Sequence, residues 1–268
     1  MRWLDRLARR PQPAAPDIAA QMAAAYEAAS RNDYATALAI WTPLAHAGVA
    51  RAQNNIGACF AEGLGVERDP GLAVKWLGVA AQGEDPVAQR NLAAAYFKGE
   101  GVAQDYVRAA ALYRAAADQG DAVAQDMLSW MLLEGEVIAP DHAEARRLAM
   151  LAAAQGHAAA MTRLGMIFHN ALGVPRDAVR AADWWRKAAT RQDADGQAML
   201  GAAYHLGAGV ARDGIEAFAW LLRARAGGSP LAGQFFEAVR QTLTPDEVAT
   251  AQRRAAAPLT PAPLEPAP

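Results

Sequence analysis

Residues 88–120 read AQRNLAAAYFKGEGVAQDYVRAAALYRAAADQG and contain the complete pattern of a two-helix unit. Apolar residues at Ala88, Leu92 and Tyr96 recur at the spacing of one face of an α-helix. A second stripe of alanine, leucine and tyrosine follows after a short break in the pattern. The stretch therefore predicts two amphipathic helices joined by a loop.

The loop between the two predicted helices carries the residues that end one helix and begin the next. Gly99 suits a helix C-terminus and Gly101 suits a turn, because glycine adopts left-handed backbone conformations at little cost. Asp105 is a good N-cap, since its carboxylate accepts the free backbone N–H groups of the following helix. Gly120 is placed to end that second helix.

The same pattern recurs in five consecutive segments with a period of 36 residues. The N-cap aspartate is found at Asp69, Asp105, Asp141, Asp177 and Asp213. An alanine follows four positions later at Ala73, Ala109, Ala145, Ala181 and Ala217. Identical residues in two columns at one spacing predict a tandem-repeat protein.

The repeats and their flanks predict the domain organisation. It comprises a flexible N-terminal segment (1–16), a capping helical hairpin (17–49), five repeats (50–229), two capping helices (230–256) and a proline-rich disordered tail (257–268). Atypical terminal units are expected, because the end faces of a repeat array have no neighbour to cover them.

Composition supports a helical protein. Hydrophobic residues make up 53% of the chain and aromatic residues only 7%, and about half of the apolar residues are alanine. Alanine favours helices over strands and lets helix axes approach closely. A GC-rich genome would also enrich alanine. Fixed columns, such as Ala80 and its equivalents at 116, 152, 188 and 224, favour the structural explanation.

Charge and residue usage exclude several classes of function. The formal net charge of −2 gives no sign of nucleic-acid binding. One cysteine, Cys59, excludes an intramolecular disulfide framework. The chain has no apolar run long enough to span a membrane, and residues 1–10 lack the apolar region of a secretory signal, so a cytoplasmic protein is expected.

The first ten residues leave one alternative open. Trp3, Leu4 and Leu7 alternate with arginines and resemble a very short interfacial membrane anchor. Isolated helices of this length are marginal in water, so a frayed end is the competing interpretation.

The glycine–glycine–valine–aspartate–alanine spacing of residues 50–229 resembles the Sel-one-like repeat (SLR) family, a relative of the tetratricopeptide repeat with longer loops. Three positions depart from the family pattern. Val137 and Ala171 replace loop glycines, and Gly196 replaces the alanine that usually opens a unit.

The resemblance implies an all-α fold, a right-handed α/α superhelical solenoid of two-helix repeats, and a role as a scaffold or adaptor in protein assemblies. A bacterial subgroup of the family, with cysteine pairs in each repeat, is linked to β-lactam binding or hydrolysis. By that analogy a hydrolase or a peptidoglycan-fragment binder is one alternative, and a membrane-associated regulator using residues 1–10 is another. The cysteine pairs are absent here, so the expected protein is not an enzyme.

In tetratricopeptide-like solenoids the first helix of each repeat lines the concave surface. Residues on these helices outside the core stripe are therefore candidates for binding a partner protein or peptide. The predicted set is Arg90, Asn91, Phe97, Lys98, Asp126, Trp130, Leu133, Glu134, Met166 and His169. The apolar members would form one strip rimmed by the charged members. Alternatively, Phe97 and Trp130 pack between repeats as ordinary core.

No catalytic, cofactor or metal site is predicted. His169 and His205 lie one period apart, but no carboxylate or cysteine in the same columns completes a ligand set. The aspartate column is explained by helix capping, since equally spaced aspartates cannot converge on one substrate. Cys59 lies beside Phe60 and is expected to be a small buried hydrophobe.

Overall fold

The computed structural model describes residues 17–263 and, within them, contains fourteen α-helices and no β-strand. The helices are α1 (Ile18–Ser30), α2 (Tyr34–His46), α3 (Ala50–Glu62), α4 (Pro70–Gln82), α5 (Pro86–Lys98), α6 (Tyr106–Asp118), α7 (Ala122–Glu134), α8 (His142–Ala154), α9 (Ala158–His169), α10 (Ala178–Ala189), α11 (Ala194–Leu206), α12 (Gly214–Ala226), α13 (Ala232–Gln241) and α14 (Pro245–Ala256). The predicted all-α fold is confirmed, and α3 to α12 form the five two-helix repeats.

None of the helices within 17–263 combines the length and the apolar character needed to cross a bilayer. The possible anchor at residues 1–10 lies outside the described part of the chain.

The predicted N-caps are confirmed at all five positions of the aspartate column. Each carboxylate accepts a hydrogen bond from a backbone N–H two or three residues further on, at 2.9–3.0 Å. The second helix of each repeat therefore begins at an aspartate N-cap.

The loop glycines Gly99 and Gly101 adopt the left-handed backbone conformations that the sequence predicts. Gly99 follows α5 in a left-handed conformation (φ 73°). Gly101 is also left-handed, and a β-carbon there would lie 2.1 Å from the carbonyl oxygen of Pro70, so the loop can pass this close to α4 only at glycine. In the fourth repeat Ala171 takes up a left-handed conformation (φ 58°) in place of glycine.

The chain divides into two compact units, with the division at Leu112 and Tyr113. In the first unit, α1 packs on α2, α2 on α3, α3 on α4 and α4 on α5. Its core contains Trp41, Leu44 and Ile56, and the ring of Tyr26 meets the Trp41 ring edge to face at 6.0 Å.

In the second unit each helix from α7 to α12 packs on the next one along the chain, and α13 and α14 both pack on α12. The core around α9 contains Met161, Leu164 and Ile167. Val239 of α13 and Val248 of α14 are buried in the cluster that includes α12. The two helices predicted after residue 230 are therefore present and cover an apolar face of the last repeat.

The alanine columns are packing positions, as the sequence predicts. Each member is at most 2% exposed: Ala37, Ala73, Ala80, Ala109, Ala116, Ala145, Ala152, Ala181, Ala188, Ala217 and Ala224. Alanines outside the columns, such as Ala19 and Ala23, are exposed. The helices approach each other where only a methyl group lies between them.

Two adjacent tryptophans of α10 have different environments. Trp185 is 2% exposed and lies against Gly165, where a β-carbon would fall 2.2 Å from the indole nitrogen. Trp184 is half-buried, and the Lys187 ammonium lies 4.3 Å from the centre of its ring. Trp185 is thus part of the core, whereas Trp184 lies at the edge of the packing.

The structure describes the proline-rich tail as far as residue 263, and this part contacts residues of the second unit. Thr190 Oγ1 accepts a hydrogen bond from the Ala262 N–H, and Arg191 donates to the Ala262 carbonyl oxygen. Arg223 donates to the carbonyl oxygen of Ala257, and Leu259 is half-buried. These residues cannot form a core of their own, and their hydrogen-bond partners belong to the repeats.

Candidate functional site

A pocket of about 530 Å³ lies across three first helices of the second unit, and we call it the α9 pocket. Trp130, Leu133 and Glu134 reach it from α7, at the i, i+3, i+4 spacing of one helix face. Four residues of α9 continue the lining, namely Ala159, Thr162, Arg163 and Met166. Asn170, Leu172, Asp193, Asp195 and Leu231 complete it.

The floor of the α9 pocket is apolar and accessible. Met166 is 37% exposed although it is a large hydrophobic residue, and Trp130, Leu133 and Leu231 are half-buried around the same cavity. Contiguous accessible apolar side chains within a concavity are typical of a surface that another molecule covers.

Asp126 differs from the sequence expectation, because it is buried beneath the surface as a counter-ion and does not rim the strip. It is 4% exposed and accepts two hydrogen bonds from Arg163, at 2.8 and 3.1 Å. His157 Nε2 lies 3.5 Å from the same carboxylate. Burial alone would raise the pKa of Asp126, but the hydrogen bonds from His157 and Arg163 outweigh it and hold the pKa below its ordinary value.

The carboxylates of α11 are held in place by hydroxyl groups. Thr162 donates to Asp193 at 2.6 Å, and Ser229 donates to Asp195 at 2.5 Å. Gly196 makes the first contact possible, since a β-carbon there would lie 2.7 Å from Thr162 Oγ1. This explains the departure from alanine that the sequence shows at this position.

The first unit has a smaller pocket of about 190 Å³, which we call the α5 pocket. Asn91 and Lys98 of the predicted set line it. Asn91 donates to Asn54 at 2.9 Å, and Arg90 lies within 3.4 Å of the Asn91 amide oxygen. Two of the predicted polar residues of α5, Asn91 and Lys98, thus line this pocket, and Arg90 lies beside Asn91.

Two other predicted residues lie elsewhere. The Phe97 ring packs edge to face on Tyr106, with centroids 5.2 Å apart, and does not line the α5 pocket. The His169 ring packs on Trp185 at 5.4 Å and does not line the α9 pocket. Burial, together with nearby Arg176, lowers the pKa of His169. Helical periodicity places both residues at the end of a first helix, where the chain is already turning toward the second helix.

Eight of the twelve lining residues are absent from the predicted set, among them Asp193, Asp195 and Leu231. Asp193 is the N-cap of α11, and its sequence signal is that of a cap. Leu231 lies beyond the last repeat and outside the repeat columns. Only the packing of α11 on α9 and of α13 on α11 reveals their part in the pocket.

Among residues 17–263, no cluster of three or more histidine, cysteine, aspartate or glutamate side chains is arranged to hold a metal ion. Cys59 is buried, and burial raises the pKa of its thiol to about 11. The thiol is therefore protonated near neutral pH and a poor nucleophile.

Comparison with protein families matches the Sel1 repeat, another name for the Sel-one-like repeat, to five consecutive segments: 50–85, 86–121, 122–157, 158–193 and 194–229. A search of curated protein sequences finds no match.

Two of the solved structures below share the fold, and a third has a lower structural similarity. A Sel1 repeat protein from Oxalobacter formigenes is 25% identical, with a TM-score of 0.78 over 88% of this chain and 97% of the other. The immunity protein Pa5087 from Pseudomonas aeruginosa is 21% identical, with a TM-score of 0.50 over 77% and 78% of the two chains. The protective antigen c5321 of uropathogenic Escherichia coli, which displays an SLR fold, is 23% identical, with a TM-score of 0.47 over 89% and 68%.

Sel1 repeats generally mediate protein–protein interactions. The repeat model accounts for residues 50–229, and the similar solved structures have the same α-solenoid fold. This chain belongs to the Sel1 repeat family.

Proposed function

We propose that this protein is a non-catalytic scaffold that binds a peptide segment of a partner protein in the α9 pocket. The general role of Sel1 repeats supports the class of function. The observation that carries the proposal is the accessible apolar floor of the pocket, formed by side chains of α7 and α9 and by Leu231 at the start of α13.

The chemistry of the pocket favours peptide binding. Trp130 offers a large flat apolar surface, and Met166 has a flexible thioether that adapts to different apolar partners. Around them the hydroxyl, amide and carboxylate groups of Thr162, Asn170 and Asp195 are placed to meet the polar backbone of a bound segment.

The α5 pocket is proposed as an additional contact surface of the first unit. Asn91 and Lys98 supply hydrogen-bond donors there, and Arg90 lies beside them. The helical hairpin at 17–49 and the helices of 230–256 are proposed to act as caps, since they cover the repeats at either end of the sequence array.

The test is a double substitution that removes the apolar anchors of the α9 pocket, Trp130→Ala with Met166→Ala. We expect loss of specific partner capture with helical circular dichroism nearly unchanged, because both side chains are partly exposed and stabilise the core less than buried residues do. Wild type and variants are compared by affinity capture and mass spectrometry, and captured partners are then titrated directly.

Phe97→Ala is the matched control, because it removes a ring that packs on Tyr106 and does not touch the α9 pocket. It should capture the same partners as the wild type. Unfolding of the double variant would show that Trp130 and Met166 are structural, and unchanged capture by a folded double variant would remove the α9 pocket from the proposal.

A further inference from the structure

The α9 pocket is lined by more negatively charged groups than positively charged ones. Three carboxylates line it, from Glu134, Asp193 and Asp195, and Arg163 is the one cationic side chain among its lining residues. These charges surround an apolar floor. A ligand that fills the pocket therefore either pairs with the carboxylates or removes water from them at a cost in free energy.

Arg163 does not compensate these carboxylates, because it is already engaged. Its guanidinium makes two hydrogen bonds to Asp126, and its side chain is 16% exposed. Asp126 is itself buried and does not line the pocket, and the ion pair that it forms with Arg163 is neutral overall. The negative charge on the rim remains.

Two of the three rim carboxylates are bound by hydroxyl and backbone groups and not by cations. Asp193 accepts from Thr162 and from the Gly196 N–H, and Asp195 accepts from Ser229. Within the described residues Glu134 has no ion pair or hydrogen bond through its side chain.

Glu134 is also placed against local preference. It is the last residue of α7, where the partial negative charge of the helix end disfavours a carboxylate. A residue that opposes its local electrostatics and is exposed on the rim of a pocket indicates a role outside the folding of its own helix.

We propose that the α9 pocket selects a partner segment in which a large apolar side chain is flanked by a lysine or an arginine. The apolar side chain lies on Trp130 and Met166, and the basic group pairs with Glu134 and Asp195 at the rim. This inference rests on the proposed peptide-binding function and adds the charge of the partner to it.

The experiment uses an array of immobilised synthetic peptides probed with the full-length protein. Each peptide carries one leucine, phenylalanine, tryptophan or alanine in a glycine–serine background, with lysine, glutamine or glutamate on both sides. We expect binding that requires the large apolar residue and favours lysine over glutamine by up to about fivefold, the range of an exposed ion pair. Rising salt concentration should weaken this preference.

The charge-reversal variant Glu134→Lys is the decisive comparison, because Glu134 is exposed and its replacement suits the end of α7. It should lose or reverse the preference for lysine while still requiring the apolar residue. Glu136→Lys makes the same charge change at an exposed residue that does not line the pocket, and it should behave as the wild type.

The outcomes separate the two proposals. Binding that needs the apolar residue but ignores its flanking charge, or a preference that Glu134→Lys leaves unchanged, overturns the charge inference and leaves peptide binding standing. No binding to any peptide of the array overturns both.

Discussion

Ala171 has an unfavourable backbone conformation at a position where the other four repeats have glycine. Its φ of 58° lies in the left-handed region, whereas the equivalent residues Gly63, Gly99, Gly135 and Gly207 are glycines. A β-carbon makes this conformation unfavourable by about 1 kcal/mol. The fourth repeat keeps the turn because the packed helices on both sides fix the path of the loop.

Ala171→Gly should therefore raise the free energy of unfolding by up to about 1 kcal/mol, with part of the gain offset by the greater freedom of glycine in the unfolded chain. Urea denaturation measures it. Ala111→Gly is the control, since the same change in an exposed helix interior should cost about 1 kcal/mol. A destabilised Ala171→Gly protein would contradict the assignment of strain.

At the scale of the element, aspartate begins most helices of this protein. The capping residues are Asp17, Asp33, Asp69, Asp85, Asp105, Asp121, Asp141, Asp177, Asp193 and Asp213. Each carboxylate accepts a backbone N–H of the first turn and lies at the positive end of the helix dipole. These helices have 12 or 13 residues, too short to be stable alone in water, so caps and packing together define them.

Asp105→Ala removes the cap of α6 and should lower the free energy of unfolding by about 1 kcal/mol, because the N–H of Arg108 loses its acceptor. Asp105→Asn keeps an acceptor oxygen and should retain most of the stability. Both are measured by urea denaturation. Equal stability of the alanine variant and the wild type would mean that the column has another role.

At the scale of the whole molecule, the buried ion pair of the second unit links stability to pH. Asp126 joins α7 to Arg163 of α9 and to His157. The pKa of Asp126 is lower in the folded protein than its ordinary value of 3.8. A group of this kind stabilises the folded state above its unfolded pKa, and the contribution is lost as the pH falls through the folded pKa.

We expect Asp126→Asn to lower the free energy of unfolding by about 2 kcal/mol at neutral pH, since Arg163 is left without a charged partner. The difference from the wild type should shrink between about pH 5 and pH 2, where the wild-type carboxylate becomes protonated. Chemical denaturation across this pH range measures both curves. A difference that stays constant down to the lowest pH would show that Asp126 does not titrate as described.

The sequence predicts the helices better than the site. Caps, loop glycines and alanine columns are local signals, and each recurs five times in register. The site residues depend on the direction of single side chains. Trp130, Leu133, Glu134 and Met166 meet in one pocket, whereas Phe97, Asp126 and His169 turn to Tyr106, Arg163 and Trp185. Helical periodicity predicts the face of the helix on which a residue lies, but it does not predict which residue of another element its side chain contacts.

The repeat, its period and the helix boundaries can be read from the sequence alone, because capping and alanine packing act within one unit and its neighbour. The chemistry of the α9 pocket depends instead on contacts between helices. The buried carboxylate of Asp126 balances the charge of Arg163. The contact of α11 with α9 brings Asp193 and Asp195 to the rim of the pocket. The contacts of the tail also depend on tertiary structure, since its hydrogen-bond partners Thr190 and Arg191 lie some seventy residues earlier in the chain.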